Sequence, residues 1–254
     1  MTSNIFDLTG KVALVTGGSK GLGKAMAGGL AQAGADIVIS SRHEDELRSA
    51  LDEVVKPTGR KGKLIVADMS KREDVLRLAR TALDQMGRID ILVNNAGTNV
   101  PQPIDEIKDA DWDQVMEINL NSVMALTRAL VPQMKARRWG RIVHISSIMA
   151  YVSKNGRNVY SATKAALVGM ARASALDVGP FGITVNCIAP GPFLTDLPGR
   201  ILSAEDKKSF AKRTALDRWG DPKELVGPVL LLASDAGSYI TGETLVVDGG
   251  YISR

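Results

Sequence analysis

A tyrosine and a lysine four residues apart are the first side chains whose spacing suggests chemistry. Tyr160 and Lys164 lie in a helical pattern, so their side chains share one face. An unperturbed tyrosine, with a pKa near 10, is a poor base at neutral pH. A nearby ammonium favours the phenolate and should lower that pKa toward the working range. Such a pair could move the proton that a carbonyl oxygen needs when its carbon accepts or loses a hydride.

Two serines precede this pair. Ser146 and Ser147 end an apolar run thirteen or fourteen residues before the tyrosine. Adjacent residues of a strand point to opposite faces, so we expect only one serine to face the tyrosine. Its hydroxyl could hydrogen-bond a substrate oxygen on which negative charge develops.

A glycine-rich turn near the N-terminus predicts a phosphate site. Gly17, Gly21 and Gly23 lie between an apolar run and an alanine-rich helical pattern. We expect these glycines to take positive φ angles and to let the backbone approach a phosphate closely. The helix that follows would direct its free N–H groups at the same phosphate. A tight strand–helix loop is the alternative explanation.

Short apolar runs alternate with helical patterns along the chain. The runs are Val12–Thr16, Asp36–Ser40, Lys63–Ala67, Ile89–Val93, Arg141–Ile145, Ile183–Ile188 and Thr244–Val247. Helices are predicted at about 22–33, 43–56, 71–86, 111–138, 158–178 and 221–233. This alternation predicts one α/β domain over residues 1–254, with a doubly wound parallel sheet. Ligands of such sheets bind beyond the carboxyl ends of the strands.

Motifs at these strand ends resemble those of the short-chain dehydrogenase/reductase family. The glycine turn has the spacing Gly-x-x-x-Gly-x-Gly, Asn94-Asn95-Ala96-Gly97 matches the family's NNAG segment, and Pro190–Thr195 matches its PGxxxT segment. The resemblance covers Lys11 to Tyr251. It implies a Rossmann-type fold with about seven strands, a subfamily of about 250 residues and usually a homotetramer whose interfaces involve the C-terminal strand.

The resemblance also implies roles for individual residues. The family spacing of thirteen selects Ser147, and the catalytic set becomes Asn119, Ser147, Tyr160 and Lys164. Tyr160 would be the general acid and base, Lys164 would also hold the nicotinamide ribose, and Asn119 would hold a water that relays protons. The cofactor-binding residues would be Gly17, Ser19, Lys20, Gly21, Leu22, Gly23, Ser41, Arg42, Asp68, Met69, Asn95, Ala96, Gly97, Tyr160, Lys164, Pro190, Gly191, Phe193 and Thr195.

The end of the second strand predicts NADP(H) rather than NAD(H). An NAD site usually places an acidic residue there to bind the ribose 2′-hydroxyl. Here the strand ends Ile39-Ser40-Ser41-Arg42, and Glu44 and Asp45 follow in the start of a helix. Arg42 could bind a 2′-phosphate with its guanidinium, helped by Ser41 and Lys20. The alternative is that both cations are ordinary surface residues.

The sequence does not identify the substrate. The resemblance implies that residues 192–218 form a lid over the substrate. The lid cations, with Arg157, could attract an anionic substrate or simply face solvent; they are Arg200, Lys207, Lys208, Lys212 and Arg213. Sugar acids, small ketones and 3-oxoacyl groups on acyl carrier protein are all candidates. In carrier-dependent relatives two arginines dock the carrier. Arg138 matches one of those positions and Phe181 replaces the other. A dinucleotide-binding redox sensor is the alternative from another functional class.

Composition excludes several other classes. The 254 residues are 44% hydrophobic and 24% charged, with a net charge of +4 spread along the chain, which favours neither nucleic acid nor membrane as a partner. The one cysteine, Cys187, indicates a reducing compartment, so we expect a cytoplasmic protein. Two distant histidines with one cysteine argue against a metal site.

Overall fold

The structure, a computed structural model, describes residues 4–195 and 204–253. Seven parallel strands form one sheet in the order β3-β2-β1-β4-β5-β6-β7. They are β1 (Val12–Thr16), β2 (Asp36–Ser41), β3 (Gly62–Val66), β4 (Ile91–Asn94), β5 (Gly140–Ile145), β6 (Ile183–Pro190) and β7 (Thr244–Val247). The predicted doubly wound parallel sheet is confirmed, and each strand overlaps its predicted run.

Eight α-helices flank the sheet within the described residues. They are α1 (Gly21–Gln32), α2 (Glu44–Val54), α3 (Arg72–Met86), α4 (Asp109–Met116), α5 (Ser122–Arg137), α6 (Asn158–Val178), α7 (Ala204–Lys212) and α8 (Val226–Ala233). The predicted helix 111–138 is wrong in one respect, since a π-helical turn at Glu117–Asn121 separates α4 from α5. The predicted lid includes α7, whereas 196–203, with Arg200, lie outside the described residues.

The sheet is buried on both faces. Helices α3, α5 and α6 pack on one face with Leu14 and Val38, and α1, α2 and α8 pack on the other with Val15 and Ile39. Successive strand residues therefore enter opposite halves of the core. This explains why most of the strand sequences are nearly continuous apolar runs rather than alternating ones. None of the described helices is long and apolar enough to cross a membrane.

The strand order reverses between β1 and β4, which lie side by side at the centre of the sheet. The chain winds from β1 toward β3 on one side and from β4 toward β7 on the other. Loops that leave the carboxyl ends of β1 and β4 therefore diverge and open a crevice. The glycine turn follows β1 and the NNAG segment begins at the end of β4, so both lie at this crevice.

Candidate active site

The two serines after β5 have different partners. The Ser147 hydroxyl lines the same cavity as Tyr160, acts to lower the pKa of that tyrosine, and accepts the Met149 backbone N–H at 3.1 Å. The Ser146 hydroxyl donates to the carbonyl oxygen of Lys164 at 2.8 Å. Ser147 therefore faces the tyrosine, whereas Ser146 attaches α6 to the end of β5.

Lys164 is buried beside the tyrosine ring. Its Nζ donates to the carbonyl oxygen of Ile145 at 2.7 Å and lies 5.6 Å from the centroid of the Tyr160 ring. Burial lowers the pKa of Lys164 to about 8, and the neighbouring Cys187 opposes the shift. The lysine is therefore mostly an ammonium at neutral pH, although it gives up its proton far more readily than an exposed lysine.

The expected fall in the tyrosine pKa is not what the structure shows. Burial raises the pKa of Tyr160 above its usual value, and the Ser147 hydrogen bond and the Arg157 charge only partly oppose this. The cause is the desolvation of a phenolate, which outweighs the charges around it. Tyr160 thus keeps its proton at neutral pH, as a proton donor must.

Asn119 lies in the π-helical turn between α4 and α5 and is fully buried. Its Oδ1 accepts the backbone N–H of Thr98 at 2.8 Å, and its Nδ2 donates to the Thr98 carbonyl at 2.9 Å and to Thr163 Oγ1 at 3.2 Å. The amide therefore joins the loop after β4 to α6. A π-helical turn inside an α-helix often marks a functional site, and the side-chain pattern gave no sign of it.

Gly97 shows how closely these groups approach each other. A Cβ built on this glycine would lie 3.4 Å from Asn119 Oδ1 and 3.5 Å from Lys164 Nζ. The amide and the ammonium therefore flank the same short piece of backbone. Since Ser147 and Tyr160 line one cavity, the structure brings all four predicted catalytic side chains to the carboxyl ends of β4 and β5.

The glycine turn after β1 fits a pyrophosphate. Gly17 and Gly21 have φ angles of +63° and +55°, as expected. The same expectation for Gly23 is wrong, because this residue lies inside α1 and has no positive φ. Glycine is needed there for close packing, since a Cβ would lie 2.2 Å from the Gly17 carbonyl oxygen and 2.5 Å from Asn95 Nδ2.

The NNAG segment braces this turn. Asn95 Nδ2 donates to the carbonyl oxygens of Thr16 and Gly17 at 2.9 and 3.2 Å. The hydroxyl of Thr16 accepts the backbone N–H groups of Asn95 and Ala96, both at 3.0 Å. The first turn of α1 contains no acidic residue, and no described side chain caps it. Its N–H groups are thus available to an anion such as the pyrophosphate of a dinucleotide.

Strands β2 and β3 end with the residues predicted to hold the adenosine. Ser41 pairs in register with Val66, so Arg42 and Asp68 follow neighbouring strand ends. Burial opposes ionisation of Asp68, yet hydrogen bonds from the Ser70 N–H and hydroxyl, with the Arg42 charge, lower its pKa. Both Ser70 groups donate to Oδ1 of Asp68. The predicted neighbour Met69 is buried.

Sequence reasoning missed an acidic residue at this end of the crevice. Lys20 Nζ lies 2.9 Å from Glu46 Oε1, and the Ser19 hydroxyl donates to Glu46 Oε2 at 3.2 Å. The Lys20 hydrogen bond lowers the pKa of Glu46. Glu46 is one of three acidic residues in the first turn of α2, where negative charge interacts favourably with the helix dipole. Its position in the sequence therefore did not indicate that it pairs with Lys20.

The PGxxxT segment lies against the glycine turn. The side chain of Thr195 would be 3.3 Å from a Cβ at Gly21, and a Cβ at Gly191 would be 2.5 Å from Asp248. Pro190 ends β6. The Phe193 side chain is buried, and its ring occupies the space beside Gly220, so this side chain is mainly a packing residue.

A cavity of about 200 Å³ opens beside Tyr160. Its wall includes Ser147, Leu22, Phe193 and Trp219, and it reaches the PGxxxT segment through Thr195. A mostly apolar cavity with a few polar groups is the usual form of a small-molecule site. A proton donor, a hydroxyl donor and a dinucleotide crevice thus meet at one cavity.

This fold and this site define a dinucleotide-dependent oxidoreductase. The family model described as enoyl-(acyl carrier protein) reductase matches residues 17–252. Gluconate 5-dehydrogenase from Gluconobacter oxydans (strain 621H) is 37% identical over 248 residues, covering 97% of this chain and 96% of that protein. The chain belongs to the short-chain dehydrogenase/reductase family and acts on alcohol or carbonyl groups.

Solved structures of relatives agree with this assignment. The crystal structure of a 3-oxoacyl (acyl-carrier-protein) reductase from Agrobacterium tumefaciens C58 with NADP bound has a TM-score of 0.93 and 32% identity, covering 99% of this chain and 98% of that one. A 7 alpha-hydroxysteroid dehydrogenase complexed with NADH has a TM-score of 0.94 and 33% identity, covering 98% and 97%. These relatives support a nicotinamide dinucleotide as the cofactor.

Proposed function

We propose that this protein interconverts a small carbonyl compound and its secondary alcohol with NADP(H), using Tyr160 as the general acid and base. The observation that carries the proposal is that Ser147 and Tyr160 line one cavity beside the dinucleotide crevice, with Lys164 Nζ 5.6 Å from the centroid of the tyrosine ring. The nicotinamide, when bound, supplies or accepts the hydride. Gly17, Gly21 and the first turn of α1 would hold its pyrophosphate.

The protein's own residues would manage the proton. Tyr160 holds its proton at neutral pH and donates it to the substrate oxygen as negative charge develops there. Ser147 Oγ accepts the Met149 N–H, and its own hydroxyl would donate to the same substrate oxygen. The Lys164 ammonium stabilises the phenolate that remains. Asn119 fixes the loop at Thr98 against α6 and so keeps this arrangement rigid; we propose that the relay water lies beside it. Oxidation runs the same steps in reverse.

Preference for NADP(H) would depend on Arg42 and Lys20, with Glu46 opposing it. The 2′-phosphate has to compete with Glu46 for the Lys20 ammonium. The Arg42 side chain, in contrast, donates no hydrogen bond to another described residue. Opposite effects are therefore expected from two substitutions. Arg42→Ala removes a charged contact, and Glu46→Gln releases a competitor.

We expect Arg42→Ala to raise the KM for NADPH about tenfold or more, since losing a partner of a charged contact costs a few kcal/mol. Glu46→Gln should lower the KM for NADPH by up to about fivefold, because exposed ion pairs contribute about 0–1 kcal/mol. The KM for NADH should change little in either variant. Steady-state kinetics with both cofactors measures this, and equal preference of the unsubstituted protein for NADPH and NADH would contradict the proposed site.

The structure favours a small free substrate over an acyl-carrier substrate. The Arg138 guanidinium donates to the carbonyl oxygen of Pro180 at 3.0 Å, so it is already engaged. Phe181, which replaces the second docking arginine, is covered by Lys135 Nζ at 4.5 Å from its ring centroid. One partly engaged arginine is a weaker anchor for an acidic carrier than two free ones.

We also propose a homotetramer. Strand β7 is the outer strand of the sheet and all four of its residues are half-buried in the single chain. Leu176 on α6 is 82% exposed, and Tyr239 is fully exposed. The two lie near each other, because Gly242, three residues after Tyr239, approaches the side chain of Ala175, the residue before Leu176. Exposed apolar side chains beside an open sheet edge are typical of subunit interfaces.

Light scattering of the purified protein should give about four times the chain mass of 27.1 kDa at micromolar concentration. Two-fold related subunits could bury the outer strand and the apolar side chains next to it, which makes the tetramer more stable than separate chains. A particle of 27.1 kDa at that concentration would rule the tetramer out.

The proposal also includes the domain organisation, the cellular compartment and the kind of partner. Residues 1–254 would form one domain, and Cys187, a buried free thiol, is compatible with the reducing cytoplasm. We propose a small molecule as the partner, with neither nucleic acid nor membrane.

The proposal is tested with a panel of ketones and alcohols assayed with NADPH, NADH, NADP and NAD. We expect cofactor oxidation with at least one ketone and the reverse reaction with its alcohol. A redox sensor would instead bind the dinucleotide and turn over none of the compounds, so that outcome would replace the proposed function with the sensor.

A further inference from the structure

Arg157 in the wall of the cavity beside Tyr160 indicates which kind of ligand the cavity binds. Two described cations line the cavity, Arg157 and Lys154, and the Lys154 Nζ lies over the Phe210 ring at 4.6 Å from its centroid. Arg157 directly precedes α6, three residues before Tyr160, and its guanidinium carbon lies 5.9 Å from the centroid of the tyrosine ring. Lys208, Lys212 and Arg213 of the lid are exposed and do not line it.

Arg157 is partly buried without an anionic partner. No described residue forms a hydrogen bond or an ion pair with its side chain, and burial lowers its pKa. Arg141 is buried too, yet its guanidinium donates to the Ser234 carbonyl and pairs with Asp235. Removing a guanidinium from water is unfavourable unless a charged or polar group replaces the water. Arg157 is half-buried, its guanidinium faces the Tyr160 ring, and no described residue supplies an anionic partner for it.

Asn99 is a second unsatisfied group in the same wall. Both polar atoms of its amide are shielded from solvent, and neither has a hydrogen-bond partner among the described residues. The other asparagines near the crevice, Asn94, Asn95 and Asn119, all form hydrogen bonds. A buried amide without partners is rare in folded proteins and needs an explanation. A ligand hydroxyl could donate to its oxygen and accept from its nitrogen.

We propose that the substrate is a hydroxylated carboxylate, a keto acid or hydroxy acid, whose carboxylate binds Arg157 and one of whose hydroxyls binds Asn99. This rests on the proposed function, because the reacting oxygen would have to bind Ser147 and Tyr160. The planar guanidinium can bind both oxygens of a carboxylate at once. Phe193 and Trp219 add apolar surface to the cavity wall, and a charged contact beside apolar surface is stronger than one in bulk water.

The test compares a hydroxylated keto acid with its primary amide, which has nearly the same shape but no charge. With NADPH, the unsubstituted protein should show a kcat/KM at least tenfold higher for the acid than for the amide, which corresponds to about 1.4 kcal/mol. Arg157→Gln should reduce this ratio to about one to three, and Arg157→Lys should restore part of it. Arg80→Gln removes an equal charge from an exposed position on α3 and should keep the ratio.

A second readout does not depend on turnover. Calorimetric binding of the hydroxylated keto acid to the protein saturated with NADP, a pair that cannot react because both partners are oxidised, should weaken tenfold or more in Arg157→Gln, with circular dichroism confirming the fold. Asn99→Ala should weaken binding of the hydroxylated acid more than binding of the deoxy acid that lacks the bound hydroxyl. Equal weakening of both acids would exclude the role of Asn99.

The possible outcomes separate the two proposals. If ketones are reduced but the acid-to-amide ratio is near one, or is unchanged in Arg157→Gln, the carboxylate site is wrong while the proposed function stands. If a phosphorylated ketose is preferred over the acid tenfold, the anion is a phosphate and the proposal is overturned. If no carbonyl compound is reduced, the proposed function fails, and the carboxylate site fails with it.

Discussion

Tyr160→Phe should lower kcat by about 10²–10⁴-fold, the usual contribution of a general acid. The ring that packs beside Lys164 and Arg157 is retained, so the fold and the affinity for the dinucleotide should be nearly unchanged. Only the phenolic hydroxyl, which shares the cavity wall with Ser147, is lost. Steady-state reduction of the best ketone of the panel, together with a fluorescence titration of NADPH, measures both quantities.

Tyr239→Phe is the matched control, because it removes the same atom from a fully exposed side chain. It should keep the rate of the unsubstituted protein. If Tyr160→Phe retains more than half of that rate, the tyrosine is not the proton donor and the mechanism proposed above is wrong.

Lys164→Met should lower kcat by about 10²-fold or more, which is typical for removal of one group that stabilises charge in the transition state. The methionine side chain fills similar space without the ammonium that favours the phenolate. Because this lysine would also hold the nicotinamide ribose, the KM for NADPH should rise in this variant and not in Tyr160→Phe. Kinetics of both variants at saturating ketone separate the two effects.

The effect of Lys164→Met should depend on pH. The pKa of Lys164 is about 8, so the unsubstituted protein carries the ammonium below that pH and loses it above. The ratio of the two rates should therefore be largest below about pH 8 and shrink as the pH rises. A ratio that stays constant from pH 6 to 10 would mean that the lysine charge does not drive the effect.

Strand positions could be predicted from the sequence for a simple physical reason. A strand buried on both faces, such as β1, is apolar along nearly its whole length, and β1 lies where its apolar run was predicted. Helix α6 ends at the predicted residues because its pattern is long and uninterrupted. Periodicity of this kind depends on local residue types alone.

Features that depend on contacts between distant parts of the chain could not be predicted from the sequence. The π-helical turn at Asn119 has no distinct residue pattern, and glycine at position 23 is needed for packing against Gly17 and Asn95 rather than for a positive φ. The pairing of Glu46 with Lys20 joins residues 26 positions apart, and the raised pKa of Tyr160 depends on how deeply the ring is buried. Each of these follows from tertiary packing, which local patterns do not encode.

Transfer of deuterium tests the central claim most directly. The protein is incubated with a ketone of the panel and with NADPH that carries deuterium at both hydrogens of the reactive nicotinamide carbon, and the alcohol is analysed by mass spectrometry. Hydride transfer predicts one deuterium on the former carbonyl carbon, formed about 10²–10⁴-fold more slowly by Tyr160→Phe. An alcohol without deuterium, or labelled alcohol formed equally fast by Tyr160→Phe, would contradict the proposed reaction and its proton donor.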